Sequence, residues 1–98
     1  MPLTSKQKRH LRGLAHKLKP VVMIGNAGIT EGVIGEIDGS LAHHELIKVR
    51  LGGMERDDRR AAIDEICRKT GSELVNSIGH IGIFYRASEQ KLIALPKA

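Results

Sequence analysis

The stretch from Pro20 to Val33 constrains the fold most. Val21-Val22-Met23-Ile24 is apolar and partly β-branched on consecutive residues, the pattern of a strand covered on both faces. Gly25-Asn26-Ala27-Gly28 follows at once, and Thr30-Glu31 then opens a helical pattern with Ile29, Val33, Ile37 and Leu41 four residues apart. Strand, glycine turn, helix is a unit that needs a sheet to join. The remainder of the chain supplies one.

Upstream, Thr4 or Ser5 is placed to cap a first helix running to about Leu18, with Leu11, Leu14, Ala15 and Leu18 as its apolar stripe and Pro20 as its stop. Downstream, residues 45–51 alternate, with Ile47, Val49 and Leu51 on one side and Lys48 and Arg50 on the other, which predicts a half-exposed strand. A third helix is expected from a cap at Asp57 or Asp58 to about Thr70, stopped by Gly71. Residues 73–78 and 81–86 then pair as a hairpin across Gly79-His80, and residues 91–95 form an apolar tail that either adds an edge strand or packs down. The order is helix, strand, helix, strand, helix, strand, strand: an α/β chain with a mixed four-stranded sheet packed by helices. With 98 residues there is apolar surface for one core, so residues 1–98 are read as a single domain. Gly32, Gly35 and Gly39 weaken the second helix by roughly 1 kcal/mol each relative to Ala, which suggests that something packs closely there.

No apolar run exceeds four residues, far short of the roughly 20 that cross a bilayer, and the amino-terminus is basic and polar without the apolar stretch of an export signal. Cys67 is the one cysteine, which forms no internal disulfide and suits a reducing compartment. A cytoplasmic protein without a membrane association is expected.

The net charge of +5 is concentrated at one end. Residues 1–19 carry Lys6, Lys8, Arg9, Arg12, Lys17 and Lys19 with no acid, whereas the other ten Lys and Arg face eleven Asp and Glu. A polyanion is the natural partner of such a segment. Phe84 and Tyr85 are the only aromatic residues, so contacts to phosphate, sugar and shape are favoured over base stacking. The glycine turn at residues 25–28 adds to this, because side-chain-poor backbone allows close approach of a phosphate to amides at a helix start. A second Gly-x-x-Gly, residues 79–82, falls in the predicted hairpin and is read as structural.

Other chemistries find little support. No Gly-Lys-Ser/Thr follows the glycine turn, so it is not a nucleotide-hydrolysing loop. His43-His44-Glu45 is the best local metal cluster, but it lacks a second cysteine or a His-Glu-x-x-His helix and is better explained as a helix terminus. There is no Gly-x-Ser-x-Gly elbow, and the pairs Asp57-Asp58 and Asp64-Glu65 lie among arginines and lysines on a charged helix. No enzyme activity, cofactor, metal or small-molecule substrate is expected.

The residues Leu14-Ala15-His16, Lys19-Pro20-Val21-Val22-Met23-Ile24-Gly25-Asn26-Ala27-Gly28-Ile29-Thr30-Glu31-Gly32-Val33, His43-His44-Glu45-Leu46-Ile47-Lys48-Val49 and Ile83-Phe84-Tyr85-Arg86 together resemble the bacterial YhbY proteins. These are stand-alone forms of the CRM domain, the chloroplast RNA splicing and ribosome maturation module. The resemblance implies a fold like the C-terminal domain of translation initiation factor three, binding of RNA, and association with precursors of the large ribosomal subunit. The family's KH-like glycine loop maps onto Gly25, Asn26, Ala27 and Gly28, and its basic surface onto the first helix. The expected RNA contacts are therefore Lys6, Lys8, Arg9, Arg12, Lys17, Lys19 and residues 25–28, with Lys48, Arg50 and Arg86 as secondary candidates, in a protein acting as a monomer. The alternative is a protein-binding module docking on an assembly factor or ribosomal protein through the glycine-rich helix face or the carboxy-terminal tail.

Overall fold

A computed structural model describes residues 2–25 and 27–97. The elements are α1 (Ser5–Ala15), β1 (Pro20–Ile24), α2 (Glu31–His44), β2 (Leu46–Leu51), α3 (Arg56–Thr70), β3 (Glu73–Ile78) and β4 (Ile81–Tyr85). They match the predicted order. The strands form one mixed sheet in the order β1-β2-β4-β3, with β1 parallel to β2 and the remaining pairs antiparallel.

Both faces of the sheet are used, unequally. On one face α2 and α3 cover Val22, Ile24, Ile47, Val49, Leu51 and Phe84, to which they add Ile37, Leu41, Ala62, Ile63 and Ile66. On the other, α1 contributes Leu11 and Ala15 against Leu46, Val75, Ile83 and Tyr85, with Ile93 and Leu95 of the tail packed beside them. The alternation of β2 sends Ile47, Val49 and Leu51 to the first core and leaves Lys48 and Arg50 on the α1 face. In β3, a register shift between Leu74 and Asn76 accompanies Leu74 packing on the first core and Val75 on the second.

Thr4 is the cap of α1: its hydroxyl accepts from the Gln7 amide at 3.1 Å, and the Gln7 side chain accepts from the Thr4 amide at 3.0 Å. The helix ends at Ala15, three residues short of expectation. Pro20 already belongs to β1, and the residue before a proline is driven toward extended backbone, so residues 16–19 are spent on tight turns and the climb to the sheet. Only Leu11 and Ala15 of the predicted stripe are buried: Leu18 lies beyond the helix and is 39% exposed, and Leu14, within it, is 45% exposed.

Three further expectations are corrected. β1 is covered on one face rather than two: Val22 and Ile24 are buried, but Val21 and Met23 are 48% and 70% exposed, because β1 is an edge strand that α1 leaves open. α3 begins beyond Glu55 without a side-chain cap, and Asp57 and Asp58 sit in its first turn, where their charge favours the helix dipole. The α2 glycines admit no close neighbour within the chain, since a β-carbon at Gly35 or Gly39 would meet nothing within 4 Å. The tail packs down instead of adding a strand. The second Gly-x-x-Gly is structural as predicted. Gly79 takes φ +57° in the hairpin, and a β-carbon at Gly82 would come within 3.1 Å of the buried Phe84 ring.

Candidate functional site

α1 crosses the sheet near the end where β2 begins and β4 finishes, because its buried side chains meet Leu46 and Tyr85, which are register partners. Lys6, Arg9, Arg12, Lys17 and Lys19 are exposed. Lys8 is half-buried and lies 3.9 Å from Glu73, whose carboxylate also accepts from the Leu3 amide at 2.8 and 3.0 Å. One cation of the six is thus partly neutralised. Lys8, Arg9 and Arg12 line a shallow recess floored by Val75, so this side of the helix borders the sheet.

Beyond that border the α1 face is open. Lys48 is half-buried, Arg50 is exposed, and Met23 stands opposite Arg50 in the parallel pair. The glycine turn begins where β1 ends. Gly28 donates to the Gly25 carbonyl at 3.0 Å and takes φ +73°, a left-handed conformation that glycine adopts without strain. Thr30 then caps α2 by accepting from the Val33 amide at 3.1 Å, which leaves the amides at the start of the helix facing the turn. Gly52, at the end of β2, donates to the Ile24 carbonyl at 3.2 Å and holds the two strand ends together. Gly25 and Ala27 are exposed, and Asn26 lies outside the described residues.

The basic helix and the glycine turn are therefore at opposite ends of β1, a five-residue strand of about 16 Å. They do not touch. Lys48 and Arg50 lie on the sheet between them, beside the exposed Val21 and Met23 of β1. On the far side of the turn, toward α3, lies a crevice lined by Gly28, Ile29, Gly53, Met54, Ala62 and Asp58, among others.

Arg86 is placed elsewhere. Its guanidinium donates to the Asp38 carboxylate at 2.5 Å, to the Thr70 carbonyl at 2.7 Å and to the Asp38 carbonyl at 3.0 Å. It ties β4 to α2 and to the end of α3, on the sheet face away from α1.

Glu45 is a residue that sequence reasoning missed. It is fully buried at the end of α2 with φ +66°, and its carboxylate accepts from the Ser88 hydroxyl, the Ser88 amide at 2.9 Å, the Leu92 amide at 3.0 Å and the Ile93 amide at 2.9 Å. Burial alone would raise this carboxyl, yet the bonds from Ser88, Leu92 and Ile93 outweigh it and hold the group at about 2. The four donors anchor the tail beneath α1. Nothing in the local pattern His43-His44-Glu45 marks the role, since every partner is more than 40 residues away. His43 and His44 are exposed in the last turn of α2, with ring centres 4.6 Å apart in an edge-to-face arrangement. Burial pushes the Cys67 thiol up, which leaves it a poor nucleophile at neutral pH.

Residues 3–86 match the model of the CRS1 / YhbY (CRM) domain. A Haemophilus influenzae protein named "RNA-binding protein" is 50% identical over 95 residues, covering 97% of this chain and 96% of that protein. The Bacillus subtilis "Probable RNA-binding protein YqeI" is 37% identical over 96% of this chain and 99% of its own length. Among solved structures, the hypothetical protein SAV1595 from Staphylococcus aureus matches with a TM-score of 0.84 at 45% identity, over 97% of this chain and all of that one.

Proposed function

Because the chain belongs to the CRS1 / YhbY (CRM) domain family, we propose that it binds RNA, and ribosomal RNA in precursors of the large ribosomal subunit in particular, as a cytoplasmic monomer without catalysis. One observation carries the reading: the exposed cations of α1 and the outward residues Lys48 and Arg50 of β2 share one face of the sheet, the glycine turn follows at the end of the adjoining strand β1, and Glu73 beside Lys8 is the one acid paired to these cations among the described residues. Relatives that bear the name RNA-binding protein support it, and the likeness to YhbY proteins points to the ribosome. In this arrangement α1 attracts the sugar-phosphate chain through Lys6, Arg9, Arg12, Lys17 and Lys19, with Lys8 in a lesser part. Lys48 and Arg50 extend the track, and the amides of the exposed Gly25 and Ala27 seat a phosphate at its far end, in a turn closed by the Gly28 amide on the Gly25 carbonyl. Arg86 has no part in it, because its guanidinium is taken up by Asp38 and Thr70.

Binding of a ribosomal RNA fragment across a salt series tests the proposal. If about five phosphates are neutralised, log affinity falls against log salt with a slope of roughly −3.5 to −4.5. The double variant Arg9→Glu/Arg12→Glu is expected to weaken binding by at least tenfold and to flatten that slope, with its unfolding midpoint unchanged. Unaltered affinity in the folded variant rejects the assignment. The rival reading, a protein-docking module, draws on exposed Leu14, Leu18 and Val21, which line an apolar groove with Ile93. A largely apolar contact there would be nearly insensitive to salt.

A further inference from the structure

The glycine turn separates two surfaces of different character. The α1 side of the sheet is positive, whereas the crevice on the α3 side carries two carboxylates, Asp58 and Glu65, seven residues apart on one face of the helix. Glu65 is ion-paired to Lys69 at 2.8 Å, while Asp58 is exposed and has no ion pair or side-chain hydrogen bond among the described residues. A phosphate is repelled from a wall of this kind.

Apart from these carboxylates the crevice is lined by glycine backbone and by the apolar side chains of Ile29, Met54, Ala61 and Ala62. Gly25, Gly28, Gly52 and Gly53 expose backbone, and a β-carbon at Gly25 or Gly28 would meet nothing within 4 Å, so the space beside the turn is unfilled by the protein. Ile29, Met54 and Ala62 form walls that are packed against the main core. Met54 is further fixed by its carbonyl, which accepts from the Arg59 guanidinium at 2.8 Å. The walls are thus set by the fold and not by mobile surface side chains. A flat apolar ring with hydrogen-bond donors on its edge complements this lining.

From this lining we infer that the crevice is a nucleobase site, in which Asp58 accepts from the edge of an unpaired base whose phosphate lies on the positive side of the turn; the inference rests on the RNA-binding reading given above. A carboxylate has acceptors only, so it discriminates among bases by their donors. Guanine offers N1–H and the N2 amino group side by side, matching two carboxylate oxygens. Adenine and cytosine offer one amino group. Uracil presents a single N–H between two carbonyl oxygens that the carboxylate repels. The expected order is guanine first, adenine and cytosine next, uracil last, from a patch of protein with no aromatic residue in it.

The test uses the full chain and nine-nucleotide oligouridylates with guanosine, cytidine, adenosine or uridine at the centre, titrated by fluorescence anisotropy at one low salt concentration. The guanosine oligomer is expected to bind about tenfold more tightly than the all-uridine one, within the range for a good two-point base contact. In Asp58→Asn the difference shrinks to about twofold while the salt slope is unchanged. Asp57→Asn removes the same charge from the neighbouring residue, which is outside the crevice, and keeps the preference. If the wild-type protein binds all four oligomers equally with a steep salt slope, the crevice inference is overturned and the RNA-binding reading stands. Equal loss of preference in both Asn variants also overturns it, by showing a general charge effect. If none of the oligomers nor the ribosomal RNA fragment binds, the RNA-binding reading itself has failed.

Discussion

The two faces of the sheet divide the work of this molecule. The α2/α3 face is closed by two helices, and at its centre the fully buried side chains of Ile47, Val49, Leu51 and Phe84 meet Ile37, Leu41 and Ile66. The α1 face has one helix, a shorter set of buried residues and a tail held by the Glu45 carboxylate and by Gln7, whose side-chain amide donates to the Pro96 carbonyl at 3.0 Å, and it leaves Val21, Met23 and Arg50 in solvent. Burial on the closed face stabilises the sheet, and that allows the other face to remain open and positive at little cost. A fold with both faces covered would have no room for a long anionic partner. The comparison makes a quantitative claim: substitutions on the closed face cost stability and those on the open face cost binding.

The largest effect is expected at Phe84. Its ring is fully buried on the closed face and is received by Gly82 in the same strand. Phe84→Ala is expected to destabilise by about 3 to 5 kcal/mol, most of the stability of a small domain. Arg50→Ala, on the neighbouring strand but facing out, is expected to change stability by less than about 0.5 kcal/mol. Urea titrations of both variants give the contrast directly. Equal losses would break the division between the faces.

Glu45 sharpens the comparison, because it shows how the thin face is held. The buried carboxylate is the point where Ser88, Leu92 and Ile93 converge, and Ile93 and Leu95 then pack against the α1 core. Three of the donors, from Ser88 and Leu92, share one carboxylate oxygen and the Ile93 amide has the other, so the amide group of Glu45→Gln faces either three donors or one; a loss of roughly 2 kcal/mol is expected together with faster amide exchange at Leu92 and Ile93. The same group predicts an acid dependence. Its folded value of about 2 lies below the ordinary 4.5, so its contribution to stability is complete above pH 4.5 and is lost as pH falls from 4.5 toward 2. Subtracting the Glu45→Gln stability curve from that of the wild type isolates this contribution, and a difference that stays flat between pH 5 and pH 3 would contradict the assignment.

How much of this was legible in the sequence follows from how far apart the partners are. Element order came through because periods of 3.6 and 2 are local, and β3 was predicted to the residue because Gly71 and Gly79 bracket it. The alternation that points Lys48 and Arg50 away from Ile47 and Val49 is likewise local. The four apolar residues of β1 carry no mark of which side a helix will cover, since that depends on strand order, and β1 proved to be an edge strand. Leu18 continues the apolar period of α1 although the backbone has already left the helix for Pro20. Glu45 reads as part of a helix terminus and Asp58 as a candidate helix cap, because the tail that one carboxylate holds and the glycine loops that the other faces come from distant parts of the chain.

Arg86 gives the smallest expected effect and the finest discrimination between the faces. In sequence it is one more cation at the end of a strand, comparable with Arg50. In the structure its guanidinium is spent on Asp38, 48 residues away, and on the Thr70 carbonyl at the end of α3, and its side chain is 24% exposed where Arg50 is open to solvent. Charge alone therefore misleads, and the number of hydrogen bonds already made decides which arginine is free for a partner. Arg86→Met keeps the aliphatic stem but removes the donors, so it is expected to cost about 1 kcal/mol of stability, in line with a partly exposed ion pair supported by bonds to two carbonyls. Its affinity for the ribosomal RNA fragment is expected to stay within about twofold of wild type and its salt slope to stay the same, whereas Arg50→Met weakens binding and flattens the slope by nearly one. Measuring both variants by thermal unfolding and anisotropy places each arginine on its face, and a loss of RNA affinity in Arg86→Met comparable with that of Arg50→Met would return Arg86 to the binding surface.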